Sequence, residues 1–187
     1  RVTSVARTQC NACPLGSADD DSDPATPCMP CSAGQYSTEA STACTDCEPG
    51  TVDIDNDPST ACTACDAGRF AAGAGTSCTL CTAGRADLDS DAATACELCV
   101  AGGYSAPGSV ACAECLPGTV DDDSDPATTC TVCALGKYAP GNTVSCVDCV
   151  AGEADTDRDP ATPCQACATG QSSHGDAVAC TDCAAGQ

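Results

Sequence analysis

The sequence has no tryptophan, one phenylalanine, one methionine and three tyrosines in 187 residues. Leu, Ile, Val and Phe together number only 19. A conventional domain of this length buries roughly 70% of its extended-chain surface, much of it under such side chains, so an ordinary hydrophobic core is excluded. Basic residues are also scarce: 6 Lys and Arg stand against 27 Asp and Glu, giving a net charge of -21. Such a chain cannot neutralise a run of phosphates, which excludes DNA and RNA as partners, and anionic membrane surfaces are excluded on the same ground. No stretch approaches the ~18 apolar residues of a membrane span, so no direct membrane insertion is expected. No Asn-x-Ser/Thr sequon follows Asn11, Asn56 or Asn142. The lone His174 has no Ser, Cys or acid at catalytic spacing, and no phosphate loop or nucleophile motif occurs, so the chain does not read as an enzyme. It begins Arg1-Val2-Thr3-Ser4, without an initiating methionine or signal peptide, and reads as a trimmed segment of something longer.

What is present instead is cysteine, 22 residues of it. Eleven Cys-x-x-Cys pairs begin at Cys10, Cys28, Cys44, Cys62, Cys78, Cys96, Cys112, Cys130, Cys146, Cys164 and Cys180, in steps that alternate 18 and 16. The period is therefore 34 residues, a long loop (A) followed by a short one (B), and a fixed period of this size marks a repeat array. The expected division is 1–12 as the end of a preceding repeat, then 13–46, 47–80, 81–114, 115–148 and 149–182 as five repeats, with 183–187 opening a sixth.

Copies can be compared slot by slot. A glycine stands three residues after every loop-opening cysteine, from Gly16 and Gly34 to Gly186, which implies positive φ or an approach too close for a Cβ. Two residues further on, the B loops place Tyr36, Phe70, Tyr104 and Tyr138, while the A loops place Ala18, Val52, Ala86, Val120 and Ala154. The aromatics are expected to cover a disulfide and seed each unit. The last B loop has Ser172 there and should be the loosest. No window has helical periodicity, and turn-forming residues are spread throughout, so short β-hairpins and turns with almost no helix are expected. The fold class is a small disulfide-rich repeat array, an elongated rod or solenoid in which repeats contact only their neighbours.

Three chemistries fit Cys-x-x-Cys. Eleven redox motifs without helices or a core make no mechanism. Zinc knuckles must be shared in twos, which an odd number forbids, and each four-thiolate site adds two negative charges to an already acidic chain. Disulfides remain, in an oxidising extracellular setting. Two regular connectivities are open. In a ladder, the second cysteine of each pair bonds the first of the next: Cys13–Cys28, Cys31–Cys44, Cys47–Cys62, Cys65–Cys78, Cys81–Cys96, Cys99–Cys112, Cys115–Cys130, Cys133–Cys146, Cys149–Cys164 and Cys167–Cys180. This treats all loops alike and leaves Cys10 and Cys183 to bond beyond the segment. In an interlocked form, adjacent pairs cross-bond and one pair is stranded.

The string Cys31-Ser32-Ala33-Gly34-Gln35-Tyr36, running on to Cys44-Thr45-Asp46-Cys47, resembles the ephrin-receptor-like cysteine-rich repeat and the related short module of tumour-necrosis-factor receptors. The resemblance covers the five B loops, weakly in the last, and the A loops only through Cys-x-x-Gly. The alternating acidic A loop is similar to long arrays in surface proteins of algae and other protists. The resemblance implies the ladder pairing and an elongated, disulfide-stapled rod at a cell surface.

Each A loop carries Asp-x-Asp-x-Asp: Asp19, Asp21, Asp23; Asp53, Asp55, Asp57; Asp87, Asp89, Asp91; Asp121, Asp123, Asp125; and Asp155, Asp157, Asp159. In an extended segment this spacing puts three carboxylates on one side, where calcium, with its oxygen ligands and tolerant geometry, is a natural companion. The pattern is not an EF-hand, because Pro58 holds the sixth position from Asp53 and Ala64 the twelfth. The competing reading is a solvated turn, with the third Asp capping and Pro following. Thr26, Thr60, Thr94, Thr128 and Thr162 are candidate O-glycan acceptors or bond their own turn. The expected function is an extracellular structural protein that self-associates into a cell-surface or matrix fibre or appendage. The alternative is the stalk of a receptor or adhesin that binds a protein ligand.

Overall fold

A computed structural model of the chain describes residues 12–23 and 26–184. Cys10, and Gly186 of the last glycine slot, lie outside the described residues. Among those described there is no helix, and every strand is two residues long. The strands pair as ten antiparallel hairpins.

Local chemistry sets the hairpins. After each loop-opening cysteine, a tight turn closes on the slot glycine: the Ser17 N–H donates to the Pro14 carbonyl at 3.2 Å, and the Thr51 N–H to that of Glu48 at 3.0 Å. The third residue of the turn must take positive φ, as Gly16 (+79°) and Gly50 (+84°) do. The next two residues then pair with the two residues inside the following knuckle. Ser17 faces Pro30 and Ala18 faces Met29, Gln35 faces Asp46, and Thr51 faces Ala64. The second knuckle cysteine completes the closure, Cys31 N–H donating to Gly16 O and Cys65 N–H to Gly50 O, both at 2.9 Å.

The structure joins Cys13–Cys28, Cys31–Cys44, Cys47–Cys62, Cys65–Cys78, Cys81–Cys96, Cys99–Cys112, Cys115–Cys130, Cys133–Cys146, Cys149–Cys164 and Cys167–Cys180. Separations alternate between 15 and 13 residues, so every loop is closed by its own staple. On a loop-entropy account, each closure stabilises by about 3 kcal/mol. Cys183 is free and exposed.

The chain divides into two compact units, Arg1–Leu80 with Asp89–Ala95, and Cys81–Leu88 with Cys96–Gln187. In the first, the buried apolar positions are Cys13, Ala18, Cys47, Val52 and Ala71, with Val52 fully enclosed. In the second, Val120, Cys133 and Ala139 cluster with Cys146 packed against them, and Ala86, Cys81, Cys149 and Ala154 are also buried. The buried seed is therefore the small A-loop residue together with sulfur. Tyr36, Phe70, Tyr104 and Tyr138 are only half-buried, and Ser172 in their slot is exposed.

Successive loops within each unit are held by backbone hydrogen bonds. In the first unit, Gly50 N–H reaches Ala71 O at 2.9 Å, Ala71 N–H reaches Ala92 O at 3.0 Å, and Ala74 N–H reaches Cys47 O at 2.8 Å. The second unit repeats this, with Gly118 to Ala139 at 2.9 Å, Ala139 to Pro160 at 3.0 Å and Asn142 to Cys115 at 2.8 Å. Positive φ is common to the described slot glycines, and at several of them the close approach of another loop adds a second demand. A Cβ on Gly34 would lie 2.2 Å from Ala74 O, and one on Gly136 2.2 Å from Asp176 O.

Candidate functional site

The acidic A loops are where the sequence concentrates charge, and their three aspartates have three different environments. The first is buried: Asp53, Asp121 and Asp155 are 5% exposed and Asp87 6%, because each follows an enclosed apolar residue such as Val52 or Val120. Its N–H donates to the next B loop, Asp53 to Gly75 O, Asp87 to Ser109 O and Asp121 to Thr143 O, all at 3.0 Å, and Asp155 to Ala177 O at 2.9 Å. Its carboxylate reaches the preceding B loop. The slot glycine N–H donates to Oδ2, Gly34 to Asp53 at 3.1 Å, Gly102 to Asp121 at 3.0 Å and Gly136 to Asp155 at 3.1 Å. The first aspartate thus ties together the B loops on both sides of it. The other oxygen, Oδ1, of Asp53, Asp121 and Asp155 is buried without a hydrogen-bond partner.

The second and third aspartates build the turn. Asp55 Oδ1 accepts the Asp57 N–H at 3.1 Å, Asp123 Oδ1 that of Asp125 at 3.0 Å, and the Asp21, Asp89 and Asp157 loops match. The third aspartate accepts the N–H two residues on, Ala127 to Asp125 at 3.0 Å and Ser59 to Asp57 at 2.9 Å. These bonds favour the ionised forms. The Asp123 carboxyl is held below its usual range chiefly by the Asp125 N–H, with the Thr128 hydroxyl and the neighbouring Asp121 carboxyl also lowering it. Asp157 is lowered by the Asp159 N–H, Thr162 and Asp155, and Asp21 by the Asp23 N–H and Thr26. Asp57 is lowered by the Ser59 hydroxyl and N–H. Asp19, the first of its triplet, is raised by burial and by its proximity to Asp21.

The spacing of two residues does not align the three carboxylates, because the segment is not extended. Ser22, Asn56, Ser90, Ser124 and Arg158, each between the second and third aspartates, have φ from +54° to +59°, which swings the third carboxylate into its own turn. Among the described residues, no group of three or more His, Cys, Asp or Glu is placed to hold a metal ion. The second carboxylate is turned to the N–H of the third aspartate, and the third to the N–H two residues beyond itself.

The recurring threonines belong to the same turn. The Thr60, Thr94 and Thr128 hydroxyls each donate at 2.9 Å to the carbonyls of Asp57, Asp91 and Asp125, with Thr26 and Thr162 equivalent at 2.8 and 3.0 Å. Each also lies within 3.2 Å of the second aspartate's carboxylate. A glycan on that oxygen would remove the shared hydrogen.

Sequence reasoning missed the serines six residues after the B-loop opening cysteine. Ser37 donates from its hydroxyl to Ser17 O at 2.9 Å, Ser105 to Arg85 O at 2.9 Å and Ser173 to Glu153 O at 2.7 Å. Their only signal is the alternation with Ala71 and Ala139 in the same slot. Lys137 forms ion pairs with Asp148, its cross-strand neighbour, and with Asp176 at 3.5 Å, which raise its pKa.

Compared with family models and with curated proteins, the chain matches none. What is established is therefore the tandem cysteine-rich repeat itself. No helix among the described residues is long and apolar enough to cross a membrane.

Proposed function

We propose that this chain is a non-catalytic structural repeat protein of the cell surface or extracellular matrix, assembled into a fibre or appendage, whose role is length, stiffness and surface display. The observation that carries this reading is the repeated junction. Every complete loop has its own disulfide, and within each unit equivalent junctions repeat the same hydrogen bonds, so tension passes from staple to staple without relying on a core. Ten disulfides support an oxidising location, since such bonds are rare in a reducing cytosol. The Cys-x-x-Gly-x-Tyr string supports a surface module of the ephrin-receptor-like type. The acidic surface offers sites to cations and keeps bare copies apart, so assembly into a fibre calls for cations or a glycan coat. O-linked glycans on the turn threonines belong to this proposal, with the loss of the turn hydrogen bond as their structural consequence.

A stalk that binds a protein ligand is the second reading, supported by exposed Leu98, Val100, Leu116 and Val132, each 58% exposed or more. Electron microscopy of the oxidised protein, with non-reducing peptide mapping of the same material, separates the two. Filaments built from ladder-paired chains support the structural reading. Dispersed single chains that capture a defined protein would replace it with the stalk.

A further inference from the structure

We propose that the acidic loops of Asp53, Asp121 and Asp155 each hold one calcium ion, between the buried Oδ1 of that aspartate and the carboxylate two residues on, that of Asp55, Asp123 or Asp157. The first aspartate is 5% exposed in all three loops. Its Oδ2 accepts the slot-glycine N–H, while its Oδ1 is enclosed and accepts nothing. Folded proteins rarely leave such an acceptor unpaired, and where they do, an ion or water accounts for it. In the Asp121 loop a second orphan lies close by. The Thr143 carbonyl accepts the Asp121 N–H at 3.0 Å, and the Thr143 hydroxyl is also buried and unpaired.

The neighbour supplies the other half of the site. Asp55, Asp123 and Asp157 stand two residues on from that buried carboxyl, and each holds the N–H of the residue two further along, so two acceptors share the start of one turn. A cation bridging the two would give the orphaned oxygen the partner it lacks. The second aspartate has room for it: of roughly four acceptor positions on a carboxylate, Asp157 uses one for the Asp159 N–H and one for the Thr162 hydroxyl. It is also exposed, so water can complete the coordination.

The donor set is all oxygen and irregular, with no nitrogen or sulfur, which suits calcium over zinc or copper. Magnesium demands a near-ideal octahedron that an exposed two-carboxylate site does not impose. The third aspartate takes no part, since its carboxylate is turned to the N–H two residues on. Because the same carboxylate clamps the preceding B loop, filling the site would tighten the joint between loops. This site rests on the fold alone, and it deepens the structural reading without depending on it.

The test is titration of the intact oxidised chain with calcium chloride, followed by calorimetry and by carboxyl carbon resonances. Three or more sites per chain are expected, with Kd in the range of about 0.1–1 mM typical of extracellular calcium modules. Asp123→Asn should weaken one site at least tenfold while the Gly102 amide stays protected, showing that the clamp survives. Asp125→Asn should leave the number of sites unchanged. Absence of heat and of carboxyl shifts at calcium tenfold above that range would overturn the proposal, as would equal loss of binding in Asp125→Asn. Filaments that form without taking up calcium would sink this site and leave the structural reading intact. Calcium uptake by a chain that never assembles would do the reverse.

Discussion

Replacing Gly34 by alanine would place a Cβ 2.2 Å from the Ala74 carbonyl oxygen and 2.6 Å from its carbon, at a φ of +82°. The left-handed conformation alone costs an L-residue roughly 1–2 kcal/mol. The clash adds to that cost, because the atoms in the way are backbone and cannot rotate aside. Moving the Ala74 peptide strains its 2.8 Å bond to Cys47 O, and moving Gly34 strains the 3.1 Å bond from its N–H to Asp53 Oδ2. A neutral bond contributes about 1 kcal/mol and a charge-assisted one about 1.5–3, so the total is about 4–6 kcal/mol. Gly170 occupies the same slot at φ +86°, with nothing within 4 Å of its added Cβ, so Gly170→Ala isolates the φ term. The difference between the two variants is about 3 kcal/mol, on the order of 100-fold in a local opening equilibrium. Ten staples make global unfolding a poor readout, so the assay is amide exchange at Ala74 and Asp53, measured by NMR on oxidised protein. Gly136→Ala, with its Cβ 2.2 Å from Asp176 O, repeats the experiment at Asp176 and Asp155 should the first variant misfold. Equal protection of these amides in the Gly34 and Gly170 variants would refute the claim that loop contact, and not backbone conformation alone, fixes this glycine.

Ala74 itself has φ +50°, in a slot where another repeat has Gly108. Ala74→Gly should therefore stabilise by about 0.5–1 kcal/mol, read as slower exchange of the residue 74 amide. Removing one staple with Cys133→Ala and Cys146→Ala should cost about 3 kcal/mol, exposing Val120 and Ala139 to exchange while Thr51 and Val52 keep their protection, as nearest-neighbour coupling requires. The Asp57 carboxyl has a folded pKa below its usual value because Ser59 hydrogen bonds favour the anion. Its contribution is therefore fully present above the unfolded value near 3.8 and is lost as pH falls through the lower folded one. Carboxyl NMR between neutral pH and strong acid should show the 57–60 turn opening only in that acidic window, and Asp57→Asn should remove this step.

The cysteine spacing made most of the fold legible, because a staple between neighbouring knuckles constrains its loop whatever the loop contains. The glycine slot was legible for a related reason: two separate demands, positive φ and close approach, fall on one residue. The other left-handed positions left no such mark. Ala40 and Ala74 have positive φ, yet nothing in their own side chains announces it; only Gly108, Asn142 and Asp176 in the same slot of other repeats carry the preference for that region. In the acidic triplet the turn was legible and the facing of the carboxylates was not. Period-two spacing implies one shared face only if the segment is extended, and Asn56 or Ser124 in the left-handed region breaks that condition. The aromatics misled through size. Tyr36 and Phe70 are the largest apolar groups in their loops, but loops that approach within backbone hydrogen-bonding distance have room inside only for Val52, Ala71 and sulfur.

The same slot explains why the period is 34 residues and not half that. Six residues after its opening cysteine, a B loop offers a backbone carbonyl to the preceding slot glycine: Gly16 N–H to Ser37 O at 3.2 Å, Gly50 to Ala71 and Gly118 to Ala139, both at 2.9 Å. In an A loop the equivalent residue is aspartate, and it accepts the glycine N–H with its side chain, Gly34 to Asp53 at 3.1 Å and Gly102 to Asp121 at 3.0 Å. The two loops close on different lengths, 15 and 13 residues, and present different acceptors to the same donor. A carboxylate in the B slot would bring a second buried charge beside that of the next A loop. An alanine in the A slot would leave a buried N–H without an acceptor, a defect folded proteins avoid. Neither loop can take the other's place, so the joint alternates, and the acidic residue that first looked like one of three equivalent ligands is the one that sets the register of the array.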